Sequence, residues 1–362
     1  MRELRPTVRR ARAGAAADGV AVRAFAPGRV NLIGEHTDYD DGLALPFAIR
    51  QGVTVGARAT GRAQIEACAV DLGESDAFSL SRIAPAVGWR AFVRGAAAEL
   101  QRSGFKLVGA QLQITGDVAR GGGLSSSAAL EVALCLALLA LSGQRPPEPV
   151  ALARICQTVE HRWVGAQTGL LDQLASLCGR DGHAMLIDFR SLSVEPVALR
   201  LGAHRLVIVD CGQRREHASS AYNERRAQCR RARELLGLTS LRDATLSQAA
   251  TLPEPLDRRV RHVITENERV RATALALRRC DLPAVGALLD ASHESLRDDF
   301  EVSSAAVEQA VARLRRAGAL GARLIGGGFG GHVLGLLAAA TPVPPAARTV
   351  APGPGAHLLS AI

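Results

Sequence analysis

Lysine is almost missing from this sequence: of 44 basic residues in 362, only Lys106 is not an arginine. No G-x-x-x-x-G-K-[ST] run exists, so a nucleotide site here would hold phosphates without a Walker lysine, and a Schiff-base enzyme has one candidate residue. Aromatics are scarce too, with two tyrosines, two tryptophans and 3% aromatic residues in all. That is too few rings for a base-stacking platform. The arginines are also spread over helical stretches (225–233, 258–261, 313–316), so the formal charge of +9 reads as a solvated basic surface and no nucleic-acid partner is expected.

Long apolar runs are lacking as well. The longest, Val132–Leu141, is about half of what a bilayer crossing needs, so no membrane partner is expected and the run belongs in a buried helix. The N-terminal region is Arg-rich, but Glu3 and Asp18 interrupt it and no clean apolar segment follows, which argues against a secretory or transit signal. Residues 1–20 read as a flexible tail. The seven cysteines are scattered and nowhere form C-x-x-C, which excludes metal-ribbon and disulfide-framework classes. Free thiols in a reducing compartment, hence a cytoplasmic location, are the expectation.

The length suits two domains sharing an interface. Strands are predicted over Val20–Ala26, Leu43–Arg50, Val53–Ala59, Ala63–Val70 and Ala110–Thr115, from short runs of small and β-branched residues between turn signals. Helices follow from about Ser126 and over Val150–Trp163, separated by the Pro-rich loop Gln144–Pro149. Strands return over 185–210, and the second half is mainly helical until a strand near residue 325. The expected organisation is a tail over 1–20, a first domain over 21–200 and a second over 201–362.

Four segments carry polar or glycine patterns that bear on chemistry. Gly121-Gly122-Gly123-Leu124-Ser125-Ser126-Ser127 lies between a predicted strand and a predicted helix, where unpaired helix N–H groups and the helix dipole can hold phosphate. A Ser-capped helix after an ordinary turn is the competing reading. In Pro27–Tyr39, the residues Arg29, Asn31, Glu35, His36 and Asp38 cluster between turn signals. They suit polyol hydroxyls, metal ligation or a polar surface turn equally. Asp172, set among Leu170, Leu171 and Leu174, can be a partly buried proton acceptor or a helix N-cap. Gly326–Gly331 holds five glycines in six residues, enough for backbone packed close against a ligand or another segment.

Together these segments resemble the galactokinase branch of the GHMP kinase superfamily. The pattern PGRVNLIGEHTDY stands unchanged at Pro27–Tyr39, G-L-S-S-S-A at Gly123–Ala128 and GGGFGG at Gly326–Gly331. Ala221–Arg226 and Ser292–Arg297 look like galactokinase too, and the resemblance runs from about residue 21 to the end. It implies an α+β, two-domain GHMP kinase fold with the active site in the inter-domain cleft. It also implies ATP-dependent phosphorylation of the C1 hydroxyl of galactose, with Mg2+ as cofactor and ATP as co-substrate; a monomeric chain is the separate expectation.

By position, the resemblance assigns Glu35, His36, Thr37, Asp38, Gly169 and Tyr222 to the sugar and Gly121–Ser127 to ATP. Ser127 and Glu160 are assigned to magnesium, Arg29 to charge stabilisation at the transferring phosphoryl group, and Asp172 to the role of base. The sequence departs from the family at Leu171 (usually methionine), Thr168 (often small or thiol) and His332 (frequently cysteine). A short Ala/Pro stretch up to Arg348 also stands where the family usually has a helix. Two rivals remain: a related kinase acting on another monosaccharide such as an N-acetylated galactose, and a catalytically silent galactose/ATP-binding regulator.

Overall fold

The computed structural model describes residues 22–119, 121–213 and 218–359; the tail expected over 1–20 lies outside them. In chain order the first half contains β1 (Val22–Asn31), β2 (Leu43–Ala44), β3 (Pro46–Ala59), β4 (Gln64–Ala69), β5 (Glu74–Ser79), α1 (Trp89–Arg102) and β6 (Ala110–Gly116). Helices α2 (Ser126–Leu141), α3 (Pro149–Val159) and α4 (Leu171–Cys178) and strands β7 (His183–Asp188), β8 (Ser193–Ala198) and β9 (His204–Asp210) follow. The second half contains α5 (Ala218–Leu236), a short α6 (Leu246–Ala249), α7 (Leu256–Arg278), α8 (Leu282–Asp298) and α9 (Ala305–Arg316). Strands β10 (Gly321–Leu324), β11 (His332–Ala338), β12 (Ala347–Val350) and β13 (His357–Leu359) close the chain.

Helix α2 is apolar on every side, so it has no face to show to water and must be enclosed. It packs on β1 and β3 of a six-stranded sheet ordered β13-β1-β3-β6-β4-β5, with α1, α3 and α4 around it. In a second sheet, β10-β11-β9-β12, the strands β9, β10 and β11 are largely buried on both faces, as their near-continuous apolar sequences require, and β12 is a partly exposed edge. Leu206, Ile208, Leu334 and Leu336 point into the core shared with α2, while Val207, Val209, Val333 and Leu337 point into a separate core with α7 and α9. The α+β class is as expected.

Three local expectations change. Leu43–Arg50 and Val53–Ala59 are not two separate strands: β2 joins β7 and β8 in a third sheet, and β3 continues straight through Arg50–Gly52. Gly52 is there because a Cβ would lie 2.7 Å from the Phe25 ring, a close approach and not a turn. Pro27-Gly28 likewise lies inside β1, where the register against β3 shifts between Pro27 and Arg29, so the segment is a bulged strand and not a surface turn. The helix expected over Val150–Trp163 ends at Val159 and widens into a π-helical turn over Glu160–Val164.

The C-terminal end of the chain returns to the first half. β13 pairs antiparallel with β1 (Arg23 with Leu359, Phe25 with His357) and thus completes the first sheet. An apolar strand edge beside β1 needs covering, and the returning chain supplies it. The amides of Gly353, Gly355 and Ala356 donate to Ala48, Gly179 and Ser176 at 2.8, 2.7 and 2.8 Å. Ending the chain at Ala351 removes this edge and is expected to cost about 2–4 kcal/mol, from several net hydrogen bonds of about 0.5–1.5 kcal/mol each. Urea denaturation measures it, and an unchanged midpoint would show that the last segment adds nothing to the first sheet.

Candidate active site

The register shift in β1 turns Arg29 toward the start of α2. Its backbone N–H donates to the Leu124 carbonyl at 3.1 Å and its Nη1 to the Gly123 carbonyl at 2.6 Å. Its Nη2 lies 2.5 Å from Asp172 Oδ1, and Ser125 Oγ donates to Asp172 Oδ2, also at 2.5 Å. Asp172 stands in the first turn of α4, whose cap position is Leu170, so the N-cap reading fails. Its carboxylate is committed to Arg29 and Ser125. This contact joins segments 143 residues apart, 172 minus 29, and lies in a cleft of about 470 Å³ between the two halves.

On one side of Asp172 the cleft is lined by Asn31, Glu35, His36, Asp38, Gly169 and Tyr222. Glu35 is 3% exposed: Gly326 N–H donates to its Oε1 at 2.6 Å, Asn31 Nδ2 donates to its Oε2, and Arg323 Nη2 lies 3.3 Å from Oε2. Burial raises its pKa, with Arg323 pulling the other way. His36 donates from Nε2 to the Gly327 carbonyl at 3.3 Å and accepts at Nδ1 from the Tyr39 hydroxyl at 2.9 Å. Its ring also packs against Tyr222. Gly169 has to be glycine, because a Cβ would stand 1.7 Å from Asp38 Oδ2. Asp38 is pushed up to about 6, first by burial and then by the charge of Asp172.

On the other side, Gly121, Gly123, Ser125, Ser126 and Ser127 line the cleft. Ser125 occupies the cap position of α2 in a left-handed conformation (φ 58°) and makes no side-chain cap bond. The simple cap reading therefore fails, and the N–H groups of the first turn of α2 keep their capacity for an anion. Behind Ser127 sits Glu160, 4% exposed, which accepts from Ser127, Thr168 and Gln173. Burial raises its pKa, and the nearby Asp172 adds to that.

Three expected contacts are elsewhere. Thr37 is fully buried, with its hydroxyl 3.1 and 2.8 Å from the carbonyls of Gly34 and Leu43, so it shapes the turn and does not reach the cleft. The side chain of Leu124 is in the apolar core, and only its carbonyl serves the site, through Arg29. Gly122 sits behind the loop against His332.

Two parts of the site were not foreseen. Arg323 was hidden in an apolar strand, and nothing in its neighbours marks it. A second cavity of about 350 Å³ opens beside Ser126 and Ser127, lined by Leu72, Trp89, Phe92, Val118 and Leu130. One of only two tryptophans lies there, a rarity that could have drawn attention as the two tyrosines did.

The raised pKa of Asp38 carries a sign. An acid whose folded pKa lies above its unfolded value of 3.8 stabilises the fold fully below that value and loses the contribution as pH rises through about 6. Replacing Asp38 by Asn should therefore raise stability at pH 8, by about 1–2 kcal/mol after allowance for partial exposure, and change little at pH 4. Calorimetric melts of both proteins at the two pH values read the difference, and a gain independent of pH would mean that Asp38 is not held at such a cost.

The same architecture and motifs occur in characterised proteins. Residues 12–59 match the galactokinase galactose-binding signature, 91–180 the GHMP kinases N terminal domain and 273–350 the GHMP kinases C terminal model. A galactokinase of Mycobacterium bovis is 44% identical over 322 residues, covering 87% of this chain and 88% of its own. One of Streptomyces coelicolor is 41% identical over 332 residues, with coverage of 87% and 84%. The crystal structure of Lactococcus lactis galactokinase complexed with galactose superposes with a TM-score of 0.86 at 30% identity, over 93% of this chain and 94% of that one. With the motif segments folded around one cleft, this places the chain in the galactokinase family of GHMP kinases.

Proposed function

We propose that the cleft transfers the γ-phosphoryl group of ATP to the C1 hydroxyl of galactose. The observation that carries this reading is the Arg29–Asp172 contact, set between a pocket of hydroxyl-binding groups and an uncapped helix N-terminus. Phosphoryl transfer asks for positioning and charge neutralisation, and little covalent work by the protein. Glu35, Asp38, His36 and Tyr222 offer acceptors and donors to sugar hydroxyls, with Gly169 leaving room for Asp38. The serine-glycine loop and α2 hold phosphates through backbone N–H groups, which is how a chain with one lysine can bind ATP. The apolar cavity beside Ser126 and Ser127 suits the adenine ring, with Trp89 and Phe92 as aromatic walls.

Asp172 takes or holds the proton of the attacking hydroxyl, and Arg29 keeps the aspartate in place while countering charge on the transferring group. The residues near Ser127 also fit a magnesium ion. Glu160 and Ser127 offer hard oxygen ligands in a neighbourhood crowded with Glu131 and Asp172. Among the described residues no group of three or more His, Cys, Asp or Glu could enclose a metal by itself, which suits an ion completed by phosphate and water. Such an ion would neutralise phosphate charge. No helix among the described residues is long and apolar enough to cross a membrane. All seven cysteines are free thiols, which supports a cytoplasmic location; we take the chain to act as a monomer. Relatives at 41–44% identity are galactokinases, so the N-acetylated-sugar and silent-regulator readings fall behind.

Turnover of galactose, followed by ADP release, tests the reaction centre. Asp172→Asn should lower kcat by roughly 10²–10⁴, the usual range for losing a positioned base. Arg29→Lys keeps charge but loses the planar fork, and is also expected to be costly. If both act on one transition state, the double variant loses much less than the product of the single losses. Near-normal turnover in Asp172→Asn would remove the catalytic assignment. Separately, Glu160→Gln should raise the magnesium concentration needed for half-maximal rate while calorimetric galactose binding persists. An unchanged magnesium requirement would take Glu160 out of the metal site.

A further inference from the structure

His332 opens β11, anchored in the middle of the second sheet, and reaches across to the first half of the chain. Its backbone is fixed from both sides: Ile325 N–H donates to its carbonyl at 3.0 Å, and the residue stands opposite Asp210 of β9. The imidazole is 4% exposed, and its Nδ1 donates to the Gly122 carbonyl at 2.5 Å. The two positions are fitted to each other, because a Cβ on Gly122 would lie 2.5 Å from His332 Cε1.

We propose that His332 is a positioning residue that sets the affinity of the glycine loop for nucleotide phosphates. This rests on the reading that the loop takes the phosphates of ATP. A run of three glycines is the most freely moving stretch a chain can have, and Gly121 and Gly123 hold left-handed conformations (φ 72° and 79°). Its usefulness as an anion site depends on which way its peptides face. Three successive carbonyls are pinned: Gly122 by His332, Gly123 by the Arg29 side chain and Leu124 by the Arg29 backbone. A trans peptide keeps its N–H opposite its carbonyl, so pinning Gly122 O against β11 aims the N–H of Gly123 away from β11. Gly123 is on the wall of the cleft. Of the three pins, only the one on Gly122 comes from the second half of the molecule. The loop is therefore ordered for phosphate by the packing of the two halves.

Calorimetric titration with a non-hydrolysable ATP analogue (with magnesium), adenosine and galactose tests this on wild type and on His332→Ala, His332→Asn and His332→Gln. Loss of one hydrogen bond with its carbonyl left buried should raise the Kd of the analogue roughly five- to tenfold in His332→Ala. The Kd values for adenosine and galactose should stay within about twofold, since neither ligand carries phosphate. His332→Asn should recover most of the loss, because its amide N–H sits where Nδ1–H does, and His332→Gln should not. Wild-type analogue binding in His332→Ala overturns the proposal. So does a parallel loss of adenosine or galactose binding, a failure of Asn to rescue, or equal rescue by Gln. Gly123→Ala, strained at its positive φ, separates this from the functional reading. If it also leaves analogue binding unchanged, the loop is not the phosphate site. If it weakens binding while His332→Ala does not, only the role of His332 falls.

Discussion

A carboxylate withdrawn from water needs a cation or several N–H groups, and Glu35 has both from distant parts of the chain. Arg323, fully buried in β10, lies against Glu35 and donates to the Leu32 carbonyl at 3.0 Å. The next turn brings the Gly326 amide to the other carboxylate oxygen. Glu266 of α7 joins the same cluster: it accepts from Gly34 N–H at 2.9 Å and pairs with Arg269 at 2.7 Å. Burial pushes Glu266 up, but Arg269, His262 and Arg323 outweigh it and bring it down to about 2. The segment after β1 is thus held from α7 and β10 together. The part of the cleft that holds Glu35 and His36 exists only where the two halves of the chain meet.

A boundary near residue 200 drawn from composition carries no information on these contacts between the halves. Composition separates a strand-rich first half from a helix-rich second half, and apart from β13 the three sheets follow that division. Pairing of β13 with β1, and the shared core behind β9 and β11, depend on contacts between residues hundreds of positions apart, which local pattern does not carry.

Legibility of the site divides along similar lines. Groups that line the cleft stood in motifs, because they are clustered by residue type: glycines and serines in one segment, mixed acids and a histidine in another. Thr37 shared such a motif and was misplaced for that reason, since its neighbours serve the cleft while its own hydroxyl closes the turn. Arg323 and Glu266 support the site from ordinary-looking strand and helix sequence. The adenine-sized cavity is assembled from α1, β6 and α2 by packing alone. Pro27-Gly28 and Gly52 were read as punctuation, but in the fold they permit close backbone approach inside strands.

The near absence of lysine acquires a structural meaning at this centre. Glu35, Asp38, Glu131, Glu160 and Asp172 crowd one region, and several are raised by burial and by one another. A flexible ammonium group could neutralise one of them but could not hold direction. The Arg29 guanidinium binds Asp172 and the Gly123 carbonyl at once, so a single planar group fixes the carboxylate and shapes the glycine-serine loop. Burial makes the remaining negative charge costly. Raised by burial, Glu35, Asp38 and Glu160 oppose the stability of the cleft as pH rises, and hydroxyl donors or a cation bound beside them would offset that cost.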